Sequence, residues 1–534
     1  MAPGPVAQAG ADGSAVASMD FSIQNLPVFK VRAKFLKLFK KNRVLVICGA
    51  TGSGKSTQLP KFLLQAKLLP HGTMVGITQP RRVAAVTVAK RVASELKTPL
   101  GQRVGYAVRF DNCTCRATKI KYMTDGILLR EAMIDPSLKR YSVIVIDEAH
   151  ERTLHSDILF GILKDLLSKR ETDVTVIIMS ATLEMDMFVR YFDGSQSLSV
   201  PGRQHPVQIY YTYEPCQDYV EAALTTAFQI HLDEAPGDIL VFLTGQEEIE
   251  GAEALMTKRA RLLPAEVQKL LVCPIFSALD NAKQYEVFAP TPPGMRKVIL
   301  ATNIAESSIT IPGVKYVVDT GLAKMRGYKA TSGMECLVVV PISKQQAQQR
   351  SGRAGRDSAG KCYRLYREVA YKELRDSVLP EICRSNLANV ILQLKVIGVD
   401  NPMEFDFIQP PSIPAMRSAM QQLVLLGALR PSDGSLSDLG KKIASLPLEP
   451  MYARLLLDAN KFHCVAEVVS VCLNRILPTK PPHFQENVGT GSVTRSYAVG
   501  RLHILCTSRT ATKGMVMRRF LASPSLCSLC CVLC

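Results

Sequence analysis

One octet constrains this chain more than any other stretch. Gly49-Ala50-Thr51-Gly52-Ser53-Gly54-Lys55-Ser56 follows the apolar run Val44–Cys48 and precedes a helical pattern from Thr57 to about Leu69. The spacing G-x-x-x-x-G-K-S between strand and helix is that of a loop that wraps phosphates. Its glycines let backbone N–H groups close on the anion, and the helix start adds a partial positive charge. In such a loop Lys55 reaches the β- and γ-phosphates, Ser56 offers its hydroxyl to Mg²⁺, and Thr57 completes the nucleotide-contacting set. A plain glycine turn needs neither Lys55 nor Ser56, so the octet predicts a nucleoside triphosphate site.

The rest of the chain is long enough to hold several such folds. At 534 residues it exceeds a single core, and length alone suggests roughly three or four domains. Lys and Arg total 65 against 47 for Asp and Glu, a net charge of +18 that favours polyanions: nucleic acid or an anionic membrane. No apolar run approaches the ~20 residues of a spanning helix. The first twenty residues, rich in Ala and Gly, lack the basic-then-apolar order of a signal peptide, so a soluble intracellular chain is expected. Ten of the fifteen cysteines are scattered through apolar or helical patterns and read as reduced thiols; Cys506, Cys527, Cys530, Cys531 and Cys534 crowd the last 29 residues.

Residues 1 to about 20 show no hydrophobic period and read as disordered. From Leu26 an amphipathic pattern predicts a helix with Val28, Phe29, Val31, Phe35, Leu36 and Phe39 on one face. Short apolar runs then alternate with helical stretches, the pattern of a parallel sheet with crossover helices. Candidate strands are Val44–Cys48, Met74–Thr78, Val143–Ile146 and Val174–Met179, then, after a break at Pro201-Gly202-Arg203, Ile239–Leu243, Val298–Ala301 and Tyr316–Val318. Beyond about Pro380 the alternation stops, and Leu387–Leu394, Met416–Leu429 and Lys441–Leu446 read as helices of a small appendage. Periodicity fades after Leu477.

Asp147-Glu148-Ala149-His150 follows the strand candidate Val143–Ile146. A carboxylate at a strand end suits a hydrated Mg²⁺ bridging phosphates, which assigns Ser56, Asp147 and Glu148 to the metal and makes Glu148 the general base for attacking water. Arg353 and Arg356, three residues apart, have the planar, permanently charged groups that stabilise a transferring phosphoryl.

Taken with Thr78-Gln79-Pro80-Arg81-Arg82-Val83-Ala84-Ala85, Thr124-Asp125-Gly126, Ser180-Ala181-Thr182, Phe242–Ile249, Thr302–Thr310 and Gln349–Arg356, these residues resemble the DEAH-box helicases of superfamily 2, over roughly residues 26 to 475. The resemblance implies ATP and Mg²⁺ as cofactors, with Lys55, Asp147, Glu148, His150, Gln349, Arg353 and Arg356 as the catalytic set. It implies that Ser180, Ala181 and Thr182 couple hydrolysis to strand separation, that His150 relays between them and the second unit, and that Gln349 positions water. It places adenine between Arg91 and Phe288, and the sugar-phosphate chain against Arg81, Arg82, Arg109, Thr124 and Thr302. The segment Lys324–Val340 resembles the family's strand-separating β-hairpin.

The implied fold is α/β: two tandem RecA-like parallel-sheet domains, then a mainly helical winged helix and a partial helical bundle. The boundaries read as a disordered segment 1–24, RecA-like domains 25–198 and 199–378, a winged helix 379–450, a partial bundle 451–496 and a divergent Cys-rich tail 497–534. Typical relatives continue through more of the bundle and an OB-fold, so a shortened chain is expected, its tail suiting altered splicing or frame better than a zinc site. The expected activity is ATP-driven 3′-to-5′ movement on RNA with unwinding or ribonucleoprotein remodelling, in splicing or ribosome biogenesis. That implies RNA and ribonucleoprotein partners, no membrane, a monomer, and a nuclear or nucleolar place before a cytoplasmic one. An ATP- and RNA-binding regulatory isoform and a DNA helicase are the alternatives.

Overall fold

The computed structural model describes residues 24–170, 174–181, 185–202, 205–264, 266–306, 311–329, 334–476, 494–499 and 502–507. The chain divides into two compact units: residues 1–390 with 397–416, and 391–396 with 417–534.

The first unit holds two sheets. One is built from β1 (Val44–Cys48), β2 (Met74–Gln79), β3 (Val104–Val108), β4 (Asp111–Cys113), β5 (Ile120–Thr124), β6 (Tyr141–Ile146), β7 (Thr175–Ser180) and β8 (Gln196–Ser199), in spatial order β4-β3-β5-β2-β6-β7-β1-β8. Every neighbouring pair is parallel except β3 with β4. Strands of such a sheet are covered on both faces by crossover helices, so they read as continuous apolar runs; Leu45, Val46 and Ile47 are all fully buried.

The other sheet uses β9 (Val207–Tyr211), β10 (Asp238–Phe242), β11 (Lys269–Ile275), β12 (Met295–Ala301) and β13 (Val314–Asp319). After a separate antiparallel hairpin of β14 (Leu322–Lys329) and β15 (Met334–Pro341), it is completed by β16 (Gly360–Arg364). Its order, β11-β12-β10-β13-β16-β9, is parallel throughout. Two parallel-sheet, RecA-like halves are therefore present, as the motif order implies.

Several elements differ from the sequence expectation. The stretch from Leu26 does not form one helix: a 3₁₀ turn over Pro27–Val31 precedes a helix over Arg32–Lys41. The helix after the phosphate loop starts at Lys55 and ends at Gln65, short of Leu69, with Lys67 turning to φ +52°. Strands β3, β4, β5, β8, β9, β11 and β16 add to those read from apolar runs.

The second unit contains helices over Asp438–Ser445, Pro450–Ala459 and Val465–Ile476. Leu455, Ala459, Cys464 and Val468 form its small core. The Ser437 side chain caps the first of these helices, accepting from the Gly440 N–H at 2.9 Å. A two-stranded antiparallel hairpin, β17 (Thr494–Val499) with β18 (Leu502–Thr507), lies where the sequence shows no periodicity and crosses residue 497. The tail beyond Thr507 and residues 1–23 lie outside the described residues. Cys48, Cys273, Cys362 and Cys464 are buried free thiols. Among the described residues no helix is long and apolar enough to cross a membrane.

Register brings the motifs together. Cys48 of β1 pairs with Ser180 of β7, Ile146 of β6 with Ile178 of β7, and Thr78 of β2 with Ile146. The segments following β1, β2, β6 and β7 therefore leave one edge of the sheet side by side. That edge, beyond the carboxyl ends of parallel strands, is where such sheets bind ligands.

Candidate nucleotide site and nucleic-acid face

The phosphate loop is held at both ends by the sheet. Gly49 donates its N–H to Ser180 O at 3.1 Å, and Val200 donates to Cys48 O at 2.7 Å. Gly49 admits no side chain, since a Cβ there would lie 2.8 Å from Val200 Cβ. Gly52 and Gly54 take φ +85° and +91°, conformations that favour glycine. Gly54 caps the helix Lys55–Gln65. Pro60 inside that helix has no N–H to give to Ser56 O; Tyr122 fills the gap, its hydroxyl donating to Ser56 O at 2.7 Å. Ser53 is buried, Ala50 and Thr51 are half-buried, and the Thr57 hydroxyl donates to Gly54 O at 3.2 Å.

Lys55 is almost wholly buried and donates to Gly49 O, to Ala50 O at 3.2 Å and to Ser53 Oγ at 3.4 Å. Its ammonium is held below the ordinary lysine range because burial outweighs the pull of Glu148, Asp147 and Cys48. Asp147 accepts from Gln79 Nε2 and from the Glu148 N–H at 2.9 Å. Burial first, then the Glu148 carboxylate, pushes Asp147 up to about 6, against a hydrogen bond from Ser56 and the charge of Lys55. Glu148 sits at φ +51°, left-handed backbone rarely taken by a side-chain-bearing residue. Its carboxyl is also raised, by burial first and also by Glu151, while Lys55, Arg353 and Arg81 oppose the shift.

Two raised, neighbouring carboxyls beside a serine hydroxyl form a donor set that a cation would charge. Among the described residues no cluster of three or more His, Cys, Asp or Glu makes a metal cage. Mg²⁺ bound with substrate phosphates needs only one or two carboxylates, so Ser56 and Asp147 fit it. His150 Nδ1 accepts from the Ala181 N–H at 3.2 Å and lies 3.6 Å from Glu148 Oε2. With the Gly49 bond, Ser180-Ala181 thus touches both the phosphate loop and the carboxylate box. Thr182 lies outside the described residues.

The second half contributes the helix Lys344–Ser351 and the turn after it, started by a capping box of Ser343 and Gln346. Gln349 is half-buried and its carbonyl accepts from Arg353 Nε at 3.2 Å. Arg353 is buried and held down to about 10, burial outweighing the attraction of Glu148 and Glu306. Arg353 and Glu148, one from each half, therefore each lie within the other's electrostatic reach. Among the described residues, both terminal nitrogens of Arg356 are buried without a hydrogen-bond partner, in a small cleft shared with Leu240, Ala305, Ile311, Val314 and Arg353. A buried guanidinium left uncompensated is costly, and an anionic ligand would offset that cost.

The nucleic-acid residues fall into two groups. Arg82 is exposed, and Arg109 is half-buried and held below the arginine range by burial and by Arg130 and Arg82. Thr124 stands at the start of the helix Asp125–Ile134, and the Thr302 hydroxyl accepts from the Ile304 N–H at 3.5 Å. Arg81 instead reaches Glu151 Oε2 at 3.5 Å and, across to the second half, Asn303 O at 3.3 Å.

Comparisons with known proteins match this arrangement. The model for the DEAD/DEAH box helicase family matches residues 29–188, that for the helicase conserved C-terminal domain residues 222–358, and that for the winged-helix helicase associated domain residues 419–448. The chain is 49% identical over 487 residues to the pre-mRNA-splicing factor ATP-dependent RNA helicase DEAH10 of Arabidopsis thaliana, covering 84% of this chain and 68% of that one. The chain belongs to the DEAH-box RNA helicases.

It is also 49% identical to the pre-mRNA-splicing factor ATP-dependent RNA helicase prp22 of Schizosaccharomyces pombe, over 85% of this chain but only 39% of that one. Among solved structures, the crystal structure of the Escherichia coli DEAH/RHA helicase HrpB superposes with a TM-score of 0.79 at 30% identity, covering 86% of this chain and 57% of that one. The DEAH-box chain thus spans about two thirds or less of the relatives it matches.

Within this helicase the two adenine candidates occupy separate surroundings. Arg91 is largely exposed and donates to Glu95 at 3.0 Å, while Phe288 packs against the core of the second sheet. Motif reading missed the support behind the arginines. Arg350 is fully buried, paired with Glu306 at 2.6 Å and Asp319 at 2.8 Å, donating to Leu322 O at 3.0 Å and lying 4.7 Å over the Phe242 ring. It fixes the helix that carries Gln349 and leads into the turn bearing Arg353. Its only sequence signal is adjacency to Gln349. Arg130, beside Arg109, carried none.

Proposed function

We propose that this DEAH-box chain is an ATP-driven motor that moves 3′ to 5′ on RNA, unwinding duplexes or remodelling ribonucleoproteins in nuclear pre-mRNA splicing. The observation that carries the reading is the buried Lys55 loop joined through Ser180-Ala181 to the His150–Glu148 pair, with Glu148 also within the electrostatic reach of Arg353 from the other half. Splicing and the nucleus come from the names of the two 49%-identical relatives.

In this reading the loop N–H groups and Lys55 hold the β- and γ-phosphates. Glu148 accepts a proton from water as its oxygen bonds to the γ-phosphorus, and the bond to the bridging oxygen breaks to release ADP. Ser56 and Asp147 would hold Mg²⁺, which would supply positive charge to the phosphate oxygens. Arg353 and Arg356 stabilise the transferring phosphoryl, and Gln349 orients the water. Hydrolysis then requires closure of the two halves, and release relaxes it, which turns chemistry into motion. Ser180 and Ala181 connect the phosphate loop with His150, a route from the nucleotide to the nucleic-acid face. Arg82, Arg109, Thr124 and Thr302 bind the sugar-phosphate chain, as a motor indifferent to sequence needs.

ATP hydrolysis and strand separation on RNA and DNA duplexes with 3′ overhangs test the proposal together. Unwinding of RNA in preference to DNA is expected. Hydrolysis without unwinding would mark an RNA-binding regulator, and equal action on DNA would overturn the RNA assignment.

A further inference from the structure

We infer that Val28 is a positioning residue for the phosphate loop: by donating its backbone N–H to Ser53 O, it keeps the Gly54 N–H turned toward the nucleotide phosphates. This rests on the reading that the loop binds ATP.

Val28 lies in the 3₁₀ turn Pro27–Val31. N–H groups in the first turn of a helix have no partner within it. The one on Val28 donates to Ser53 O at 3.1 Å. A trans peptide is planar, and its C=O and following N–H point opposite ways. Fixing Ser53 O toward Val28 therefore fixes the Gly54 N–H toward the other side, where a phosphate loop receives its anion. A flip of this peptide would replace a donor with a carbonyl oxygen.

The side chains close off that flip. Val28 has no exposed surface. A Cβ built on Gly54 would lie 3.0 Å from Val28 Cγ1 and 3.0 Å from Leu26 Cδ1, so the turn is packed directly against this peptide. Gly54 at φ +91° has more backbone freedom than any other residue type, which makes an external restraint useful. The turn itself is anchored in the core of the first sheet. Phe29 meets Phe62 of the following helix edge-on, centroids 5.0 Å apart, and Phe35 is fully buried. Leu26 and Val28 both precede residue 29, where the match to the helicase family begins.

The test compares ATP dissociation constants, with Mg²⁺ present, for the full chain and two variants. Val28→Pro removes the N–H at the second position of the 3₁₀ turn. Val28→Ala keeps the N–H and trims the side chain. Both lower the melting temperature, but only Val28→Pro should weaken ATP binding substantially, by about ten- to a hundredfold, the range of one hydrogen bond to a charged group. Val28→Ala should stay within about threefold of wild type. Equal affinities for the two variants would overturn the clamp. If Val28→Pro does not fold, hydrogen exchange at the wild-type Val28 amide decides: slowing on addition of ATP supports the clamp, and an unchanged rate overturns it. A wild type that binds no ATP overturns the underlying reading as well.

Discussion

Glu148 combines a left-handed backbone, burial and an opposing arginine, a constraint that a purely structural acid does not need. Glu148→Gln keeps the shape and removes the base. It should bind ATP near wild-type affinity while hydrolysis falls at least about a hundredfold, the usual scale of a general base, as read by paired binding and turnover assays. Asp125, at the start of the helix Asp125–Ile134, supplies a pH prediction. It accepts from Thr153 Oγ1 at 3.0 Å, and burial pushes its carboxyl up to about 6. A raised carboxyl binds its proton more tightly in the folded state, so that stability is present below about pH 4 and lost as pH rises through 6. Asp125→Asn mimics the protonated form. It should match wild type in unfolding free energy near pH 4 and exceed it near pH 7, by on the order of 2 kcal/mol, as read by denaturant titration. A constant difference across that window would contradict the burial argument. Lys55, Asp147 and Glu148 were legible because motif spacing carries their chemistry. Arg350, Glu306 and Asp319 were not, because a buried ionic network looks, in sequence, like surface charge.

At the scale of elements, the same ambiguity hid whole strands. β12 begins at Met295, yet apolar reading starts it at Val298, since Arg296 and Lys297 look solvated. Both are buried, Arg296 donating to Ile230 O, Glu234 O and Ala235 O, and Lys297 to Val287 O and Ala289 O. β5 conceals Lys121 in the same way, its ammonium paired with Glu131 and bonded to Tyr141 Oη at 3.0 Å. Strands rich in Val and Ile, such as β1 and β6, were visible because nothing in them competes with the apolar signal. The helix after the phosphate loop depends on Tyr122 to satisfy the carbonyl that Pro60 strands. Tyr122→Phe should lower unfolding free energy by about 1–3 kcal/mol, measured by denaturant titration. The β14–β15 hairpin exposes Leu337, Val338 and Val339. If it separates strands, replacing Leu337 and Val338 with serine should slow unwinding several-fold more than RNA-stimulated hydrolysis; an equal fall in both would assign the hairpin to folding instead.

At the scale of the molecule, the net charge of +18 favours a polyanion, as the proposed sequence-indifferent motor requires. RNA affinity should fall steeply with salt. Arg82→Ala and Arg109→Ala should each flatten the log–log slope by about 1, whatever the RNA sequence. The order of motifs made the two-half architecture legible. Contacts that cross between halves, such as Arg81 with Asn303 O, were not, because they depend on tertiary placement. The central claim is that one hydrolytic centre is assembled from both halves. Steady-state ATP hydrolysis with saturating single-stranded RNA, for wild type and Arg353→Lys, tests it most directly. The account predicts that Arg353→Lys still binds ATP but loses about a thousandfold in kcat, the lower range for an arginine finger. Turnover within a few-fold of wild type would contradict it.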